Sequence, residues 1–148
     1  MSKKFLITGG PVLIVLRRES RLLLGGDNVT IFDNLSRHGA ESNLKWIESE
    51  VGGRSFKFIK GDVRDFESLK GAVEGKQVIV HLAAQVAVTS SVTDPRFDFD
   101  VNAGGTFNVL EAARLQRKKP LVIYASTNKV YGEIEGAKIL EGESRYTF

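Results

Sequence analysis

The chain has 148 residues, 42% of them hydrophobic and 26% charged, with a formal net charge of +3. That length suffices for one domain burying roughly two-thirds of its unfolded surface, and the balanced composition excludes a disordered or low-complexity chain. With no cysteine and only His38 and His81 to offer imidazole, disulfides and thiolate zinc sites are excluded and no metal site is expected.

In chain order, Phe5-Leu6-Ile7 reads as a first strand closed by Thr8, Gly9 and Gly10. The apolar run is far too short for a signal-peptide core and no other stretch approaches a membrane span, so a cytoplasmic protein without a membrane partner is expected. A helix-length stretch follows, and Gly25-Gly26 marks its exit. Val29-Thr30-Ile31-Phe32 reads as a second strand ending in Asp33, residues 43–51 as a helix leaving at Gly52-Gly53, and Phe56-Lys57-Phe58-Ile59 as a third strand. Asp65 with Ser68 starts a helix over 66–73. Val78 to Leu82 is a fourth strand, and Asp94-Pro95 is a further helix start. Residues 99–115 carry Val101, Phe107, Val109, Leu110 and Ala113 at helical spacing. That helix ends in the basic run of Arg114, Arg117, Lys118 and Lys119, which reads as a solvated face complementing the dipole. Basic residues elsewhere are scattered with no aromatic-basic stripe, so nucleic acid is not an expected partner. Leu121-Val122-Ile123-Tyr124 is a fifth strand, and beyond Gly132 the text loses periodicity and reads as loop or an unfinished element.

Near-continuous apolar strands alternating with helices predict a doubly wound α/β fold with a parallel sheet, its ligand at the carboxyl ends of the strands. A strand, a glycine turn and a helix start form a ready anion site, because free N–H groups and the helix dipole face the phosphates. Gly9 and Gly10 fit the turn. Asp33, 24 positions after Gly9, is placed to accept from an adenosine ribose, which favours NAD over NADP. Asp62, after the third strand in Gly61-Asp62-Val63, can meet an adenine amino group, although an aspartate here also serves an ordinary turn. Ala83-Ala84 let a ligand approach the backbone. His81 precedes them in an apolar strand and reads as a hydrogen-bonded core histidine.

The blocks "ITGG", "FDN", "GDVRD", "VHLAAQ", "VNAGGTFNVLEAAR" and "STNKVYG" follow in the order and spacing of the extended short-chain dehydrogenases, and the chain resembles their nucleotide-sugar epimerases and dehydratases over nearly all of its length. "HLAAQVAVTSSVTDP" and "STNKVYG" are most similar to the CDP-paratose 2-epimerase branch. The resemblance implies a Rossmann-type fold in which Thr8, Gly9 and Gly10 hold the pyrophosphate of NAD. Asp33 and Asn34 take its ribose with Ser36 and Arg37 nearby, Asp62 and Val63 its adenine, and Leu82, Ala83, Ala84 and Gln85 its middle. It further implies that Asn102 buttresses the nicotinamide end, Ser126 and Thr127 flank the catalytic centre, and Thr89 and Ser90 border a nucleotide-sugar, a CDP-sugar in that branch. A homodimer through the 99–115 helix is also implied.

Two departures shape the expectation. Epimerases of this family oxidise a sugar carbon and return the hydride on the other face, using a Tyr with a Lys four positions later. Here Tyr124 is followed at that distance by Asn128 and Tyr131 by Glu135, and Tyr146 lies two residues from the last. The expected organisation is therefore a dinucleotide-binding part over 1–132 and the start of a remainder over 133–148, without the substrate domain and without turnover on its own. Residues 11–21 depart as well. From Gly9 the family places glycines at the third and sixth following positions, where this chain has Val12 and Val15, whose branches fill space a pyrophosphate needs. Flanks and overall length are kept, the pattern two compensating frame shifts would leave. Three readings follow: the NAD-binding part of a 2-epimerase, a non-catalytic α/β module that has lost its cofactor, or part of a 4-epimerase or 4,6-dehydratase. Asn128 and Lys129 beside Thr127, where a dehydratase places acids, lean toward epimerisation.

Overall fold

The computed structural model describes residues 2–10, 26–51, 56–127, 136 and 138–147. Among them, β1 (Lys4–Thr8) is followed by β2 (Asn28–Asp33), α1 (Ala40–Val51), β3 (Phe56–Lys60), α2 (Phe66–Val73) and β4 (Val78–His81). Two short helices, α3 (Val88–Thr93) and α4 (Pro95–Phe99), a π-helical turn (Asp100–Gly104), α5 (Gly105–Arg114) and β5 (Leu121–Tyr124) come next. The two-residue strands β6 (Leu140–Glu141) and β7 (Tyr146–Thr147) pair antiparallel.

The main sheet is parallel throughout, in the order β3-β2-β1-β4-β5. The chain winds outward from β1 to β3 and then restarts beside β1 with β4, so the direction of winding reverses between β1 and β4. That gap is the switch point at which a doubly wound sheet opens a crevice. All five expected strands are present, each within one residue of its expected bounds.

Alternation along the strands sorts the core onto the two faces. Leu6, Phe32 and Ile79 pack with Leu69 and Val73 of α2 and Val109 and Ala112 of α5, while Ile7, Val29 and Ile31 pack with Ile47 of α1. Each side chain of this size contributes about 1.5–3 kcal/mol on full burial. Asp65 caps α2 by accepting from the Ser68 amide at 3.2 Å, and Asp94 caps α4 by accepting from the Phe97 amide at 2.9 Å, with Pro95 in its first turn. Both helix starts read from the sequence are thereby accounted for.

The structure corrects the sequence reading in three places. The helix expected over 99–115 begins earlier as α4, passes through the π-turn and continues as α5; Phe107 and Leu110, two of its apolar positions, are 65% and 50% exposed. Helix α3 was not expected. Past Gly132, where the sequence reads as loop or an unfinished element, β6 and β7 form a hairpin. Residues 11–21 with Val12 and Val15, the helix exits at Gly25 and Gly52-Gly53, and Asn128, Lys129, Tyr131 and Glu135 lie outside the described residues. On the β5 side the sheet ends, among the described residues, in a strand whose Leu121, Ile123 and Tyr124 are largely exposed. No helix among the described residues is long and apolar enough to cross a membrane.

Candidate functional site

Backbone hydrogen bonds tie the loops at the carboxyl ends of the strands into one edge. Gly9 donates to the carbonyl of Phe32 at 3.0 Å, Leu82 to that of Thr8 at 2.9 Å, Gly61 to that of Asp33 at 3.1 Å and Ala125 to that of His81 at 3.2 Å. The loops carrying Gly9, Asp33, Asp62, Ala83 and Ser126 therefore converge, as the sequence reading requires. Gly9 has φ +79°, and a Cβ there would lie 2.4 Å from the Ala83 nitrogen; at Gly10 a Cβ would lie 2.2 Å from Cγ2 of Ile31. Only glycine lets the loop after β1 lie this close to the loop after β4.

Asp33 is half-buried, and its Oδ1 accepts from the Leu35 amide at 2.7 Å, helped by the left-handed backbone of Leu35 at φ 57°. Its second oxygen has no partner among the described residues. Burial raises its pKa, against the lowering effect of the Leu35 amide, and the nearby charge of Asp62 raises it further. The end of β2 thus presents a carboxylate whose charge is under-compensated and which can only accept.

Asp62 is the opposite case. Its Oδ1 accepts from the Arg64 amide and Nε, both at 2.9 Å, and its Oδ2 from Arg64 Nη2 at 2.7 Å and Asn34 Nδ2 at 2.9 Å. The Arg64 hydrogen bond holds its carboxyl down to about 2. These four bonds fill the acceptor sites of a carboxylate, so Asp62 braces the loop after β2 through Asn34, whose own Oδ1 accepts from the Ser36 amide at 3.0 Å. Ser36 and Arg37 are exposed on that loop. Val63 is buried in the core, where its Cγ2 lies 2.6 Å from where a Cβ on Gly105 would be; toward a ligand it offers backbone, not side chain. A recess of about 590 Å³ opens beside Asp62, between Arg64 and Asp65 on one wall and Asp100, Gly104, Phe107 and Asn108 on the other.

The π-turn organises the far side of the crevice. Asn102 holds both backbone groups of Gln85: its Oδ1 accepts from the Gln85 amide at 2.9 Å and its Nδ2 donates to the Gln85 carbonyl at 3.0 Å. One turn on, the Thr106 hydroxyl donates to the Asn102 carbonyl at 2.6 Å and faces Nε2 of His81 at 3.1 Å. With the Thr106 proton so engaged, the imidazole proton is assigned to Nε2, and Nδ1 accepts from the Thr8 hydroxyl at 2.6 Å. Burial pushes His81 down to about 4, so it is a neutral structural histidine. Asn102 therefore acts on the loop after β4, more directly than on the sheet itself.

Leu82, Ala83, Ala84 and Gln85 form that loop, Thr89 and Ser90 stand exposed on α3, and Ser126 and Thr127 stand exposed just past β5. Four residues at this edge were missed in the sequence. Arg64 was legible as the basic residue of "GDVRD"; Ser91, Asp98 and Thr106 carry no local signal, because their roles appear only when α3, the π-turn and β4 come together. No group of three metal-ligating side chains occurs among the described residues.

A parallel sheet with its switch point between β1 and β4, glycines on the first loop and a lone carboxylate on the second define a Rossmann-type α/β unit. The family described as GDP-mannose 4,6 dehydratase matches residues 6–147, and the chain belongs to it. It is 43% identical over 146 residues to the CDP-paratose 2-epimerase of Salmonella typhi, covering 97% of this chain and 42% of that protein. Among solved structures, it is similar to a dTDP-glucose 4,6-dehydratase from Streptomyces venezuelae with NAD bound, with TM-score 0.78 and 29% identity over 90% of this chain and 42% of the other. It is similar also to a UDP-glucose 4-epimerase from Brucella ovis in complex with NAD, with TM-score 0.72 and 31% identity over 89% of this chain and 38% of the other. The chain thus spans well under half the length of these relatives.

Proposed function

We propose that the chain is the NAD-binding part of a nucleotide-sugar epimerase of the 2-epimerase type, working on a CDP-linked sugar. The observation that carries the cofactor assignment is Asp33, a half-buried carboxylate at the end of β2 with a raised pKa and an oxygen that has no partner among the described residues. Two ribose hydroxyls are the neutral donors such a group lacks, whereas a ribose phosphate would set a second anion against it. Gly9 and Gly10 with Thr8 would hold the pyrophosphate, and Asn34, Ser36 and Arg37 would border the ribose. The adenine would lie along the Asp62 and Val63 backbone, its amino group reaching Asp62 once Arg64 swings aside. Leu82 to Gln85, held by Asn102, would line the middle of the cofactor. NAD supplies the acceptor and donor for a hydride; Ser126 and Thr127 would hold the reacting sugar hydroxyl, and Thr89 and Ser90 the sugar.

The identity to a CDP-paratose 2-epimerase over 97% of the chain supports this branch over 4-epimerisation or 4,6-dehydration. A cytoplasmic location belongs to the same reading. Its organisation would be the cofactor part over 1–132 with 133–148 leading into a remainder. Phe99, Ala103, Phe107 and Leu110 form an exposed apolar stripe from the end of α4 along the π-turn and α5, which supports a homodimer through this face.

Equilibrium dialysis of the chain against NAD and NADP tests the proposal. Saturable binding of NAD, with NADP at least about tenfold weaker, is expected. Absence of NAD binding at millimolar cofactor would favour the second reading, a scaffold that has lost its cofactor, in line with Val12 and Val15 in the sequence.

A further inference from the structure

Asp98 lies at the junction of three elements, and its Oδ1 accepts from the Ser91 hydroxyl of α3 at 2.6 Å and from Nδ2 of Asn102 in the π-turn at 3.1 Å. Asn102 in turn grips both backbone groups of Gln85. No residue of α3 is buried, so apolar packing does not fix it; the Ser91 hydroxyl, whose single proton goes to the nearer Asp98 carboxylate and not to the Ala87 carbonyl 3.0 Å away, is a polar tether to the rest of the fold. We infer that Asp98 is a positioning residue that locks α3 to the Gln85 loop, so that the sugar side of the site, Thr89 and Ser90, and the cofactor side, Ala83 to Gln85, are held in one arrangement.

The physical reason is the charge. A carboxylate accepting two hydrogen bonds orients both donors more firmly than a neutral acceptor, and Asn102 rotated about its amide would lose its Gln85 contacts on both sides at once. Asp98 therefore acts at a distance from any ligand, through Asn102 on one arm and Ser91 on the other. This inference rests on the proposed cofactor reading for its functional half, while its structural half stands without it.

Two measurements on the whole chain separate the halves. Amide hydrogen exchange in the absence of ligand is expected to quicken about tenfold at Gln85 and Ser91 in Asp98→Ala, with the core amides of Leu6 and Ile79 unchanged. Asp98→Asn, which keeps an oxygen acceptor but removes the charge, is expected to restore only part of the protection. Unchanged Gln85 exchange in Asp98→Ala overturns the inference outright. NAD affinity measured on the same variants is expected to fall in Asp98→Ala and to lie between Asp98→Ala and the parent in Asp98→Asn. If the parent chain binds NAD and Asp98→Ala binds it equally well despite faster exchange, the coupling to the cofactor loop is refuted. If the parent chain does not bind NAD, the proposed function fails while the exchange result still decides the clasp.

Discussion

Gly9 and Ala83 approach so closely that a Cβ added to Gly9 would lie 2.4 Å from the Ala83 nitrogen. The two loops they belong to leave adjacent parallel strands on either side of the switch point, so this contact sets the width of the crevice. At φ +79° Gly9 also occupies the left-handed region. Gly9→Ala should destabilise the fold by about 2–4 kcal/mol, the sum of backbone strain and overpacking, read from urea unfolding at constant m. A loss under 1 kcal/mol would show that the loop has room to move.

Asp33 is expected to trade stability for binding. Its raised pKa means that the folded chain holds a proton the unfolded chain has already released, so stability from this group is present below pH 3.8 and declines as pH rises through the folded value. Asp33→Asn, which keeps the acceptor for the Leu35 amide and removes the buried charge, should raise the thermal midpoint at pH 7. The same variant should weaken NAD roughly 10- to 100-fold, the worth of charge-assisted hydrogen bonds. A variant less stable than the parent would count against the account of the charge.

His81 gives the fold its acid sensitivity. Its folded pKa of about 4 lies below the ordinary 6.5, so the unfolded chain takes up the proton first as pH falls. Stability is full above pH 6.5 and drops by roughly 3 kcal/mol between 6.5 and 4. Asp62, held at about 2, then adds a loss as pH falls from 3.8 toward 2. Urea midpoints at pH 7, 5.5 and 4.5 check the first window. His81→Gln should flatten it, and a parent chain indifferent to pH across that range would contradict the buried neutral imidazole.

The exposed stripe of the π-turn and α5 predicts self-association. Phe107→Glu should convert a dimer to a monomer by light scattering after size exclusion, with the helical signal intact. A monomeric parent chain would remove the proposed dimer.

The five strands were legible because each is a short run of β-branched and aromatic residues between turn formers, and the caps at Asp65 and Asp94 because the acids stand directly before their helices. That Gly9, Gly10 and Asp33 stand at neighbouring strand ends was legible from their spacing taken together with the alternation of strands and helices. Helix α3 was not: "VTSSVT" is rich in β-branched and hydroxyl residues that disfavour helix, and its support comes from Asp98, seven residues after Ser91. Nor was the inward or outward sense of Phe107 and Leu110, since the π-turn shifts the helix phase before α5 begins. The exchange of partners at Asp62, where Arg64 and Asn34 occupy the carboxylate, could be seen only in three dimensions.

Among the described residues no strand pairs with the outer side of β5, and this has a practical corollary. Its outer backbone groups and the side chains of Leu121, Ile123 and Tyr124 offer a ready-made template for stacking against any other strand, and neither a charge nor a proline within those four residues discourages it. Recombinant production should therefore be sensitive to concentration and to fused partners, and a lysine introduced at Ile123 would be the simplest way to keep the material dispersed.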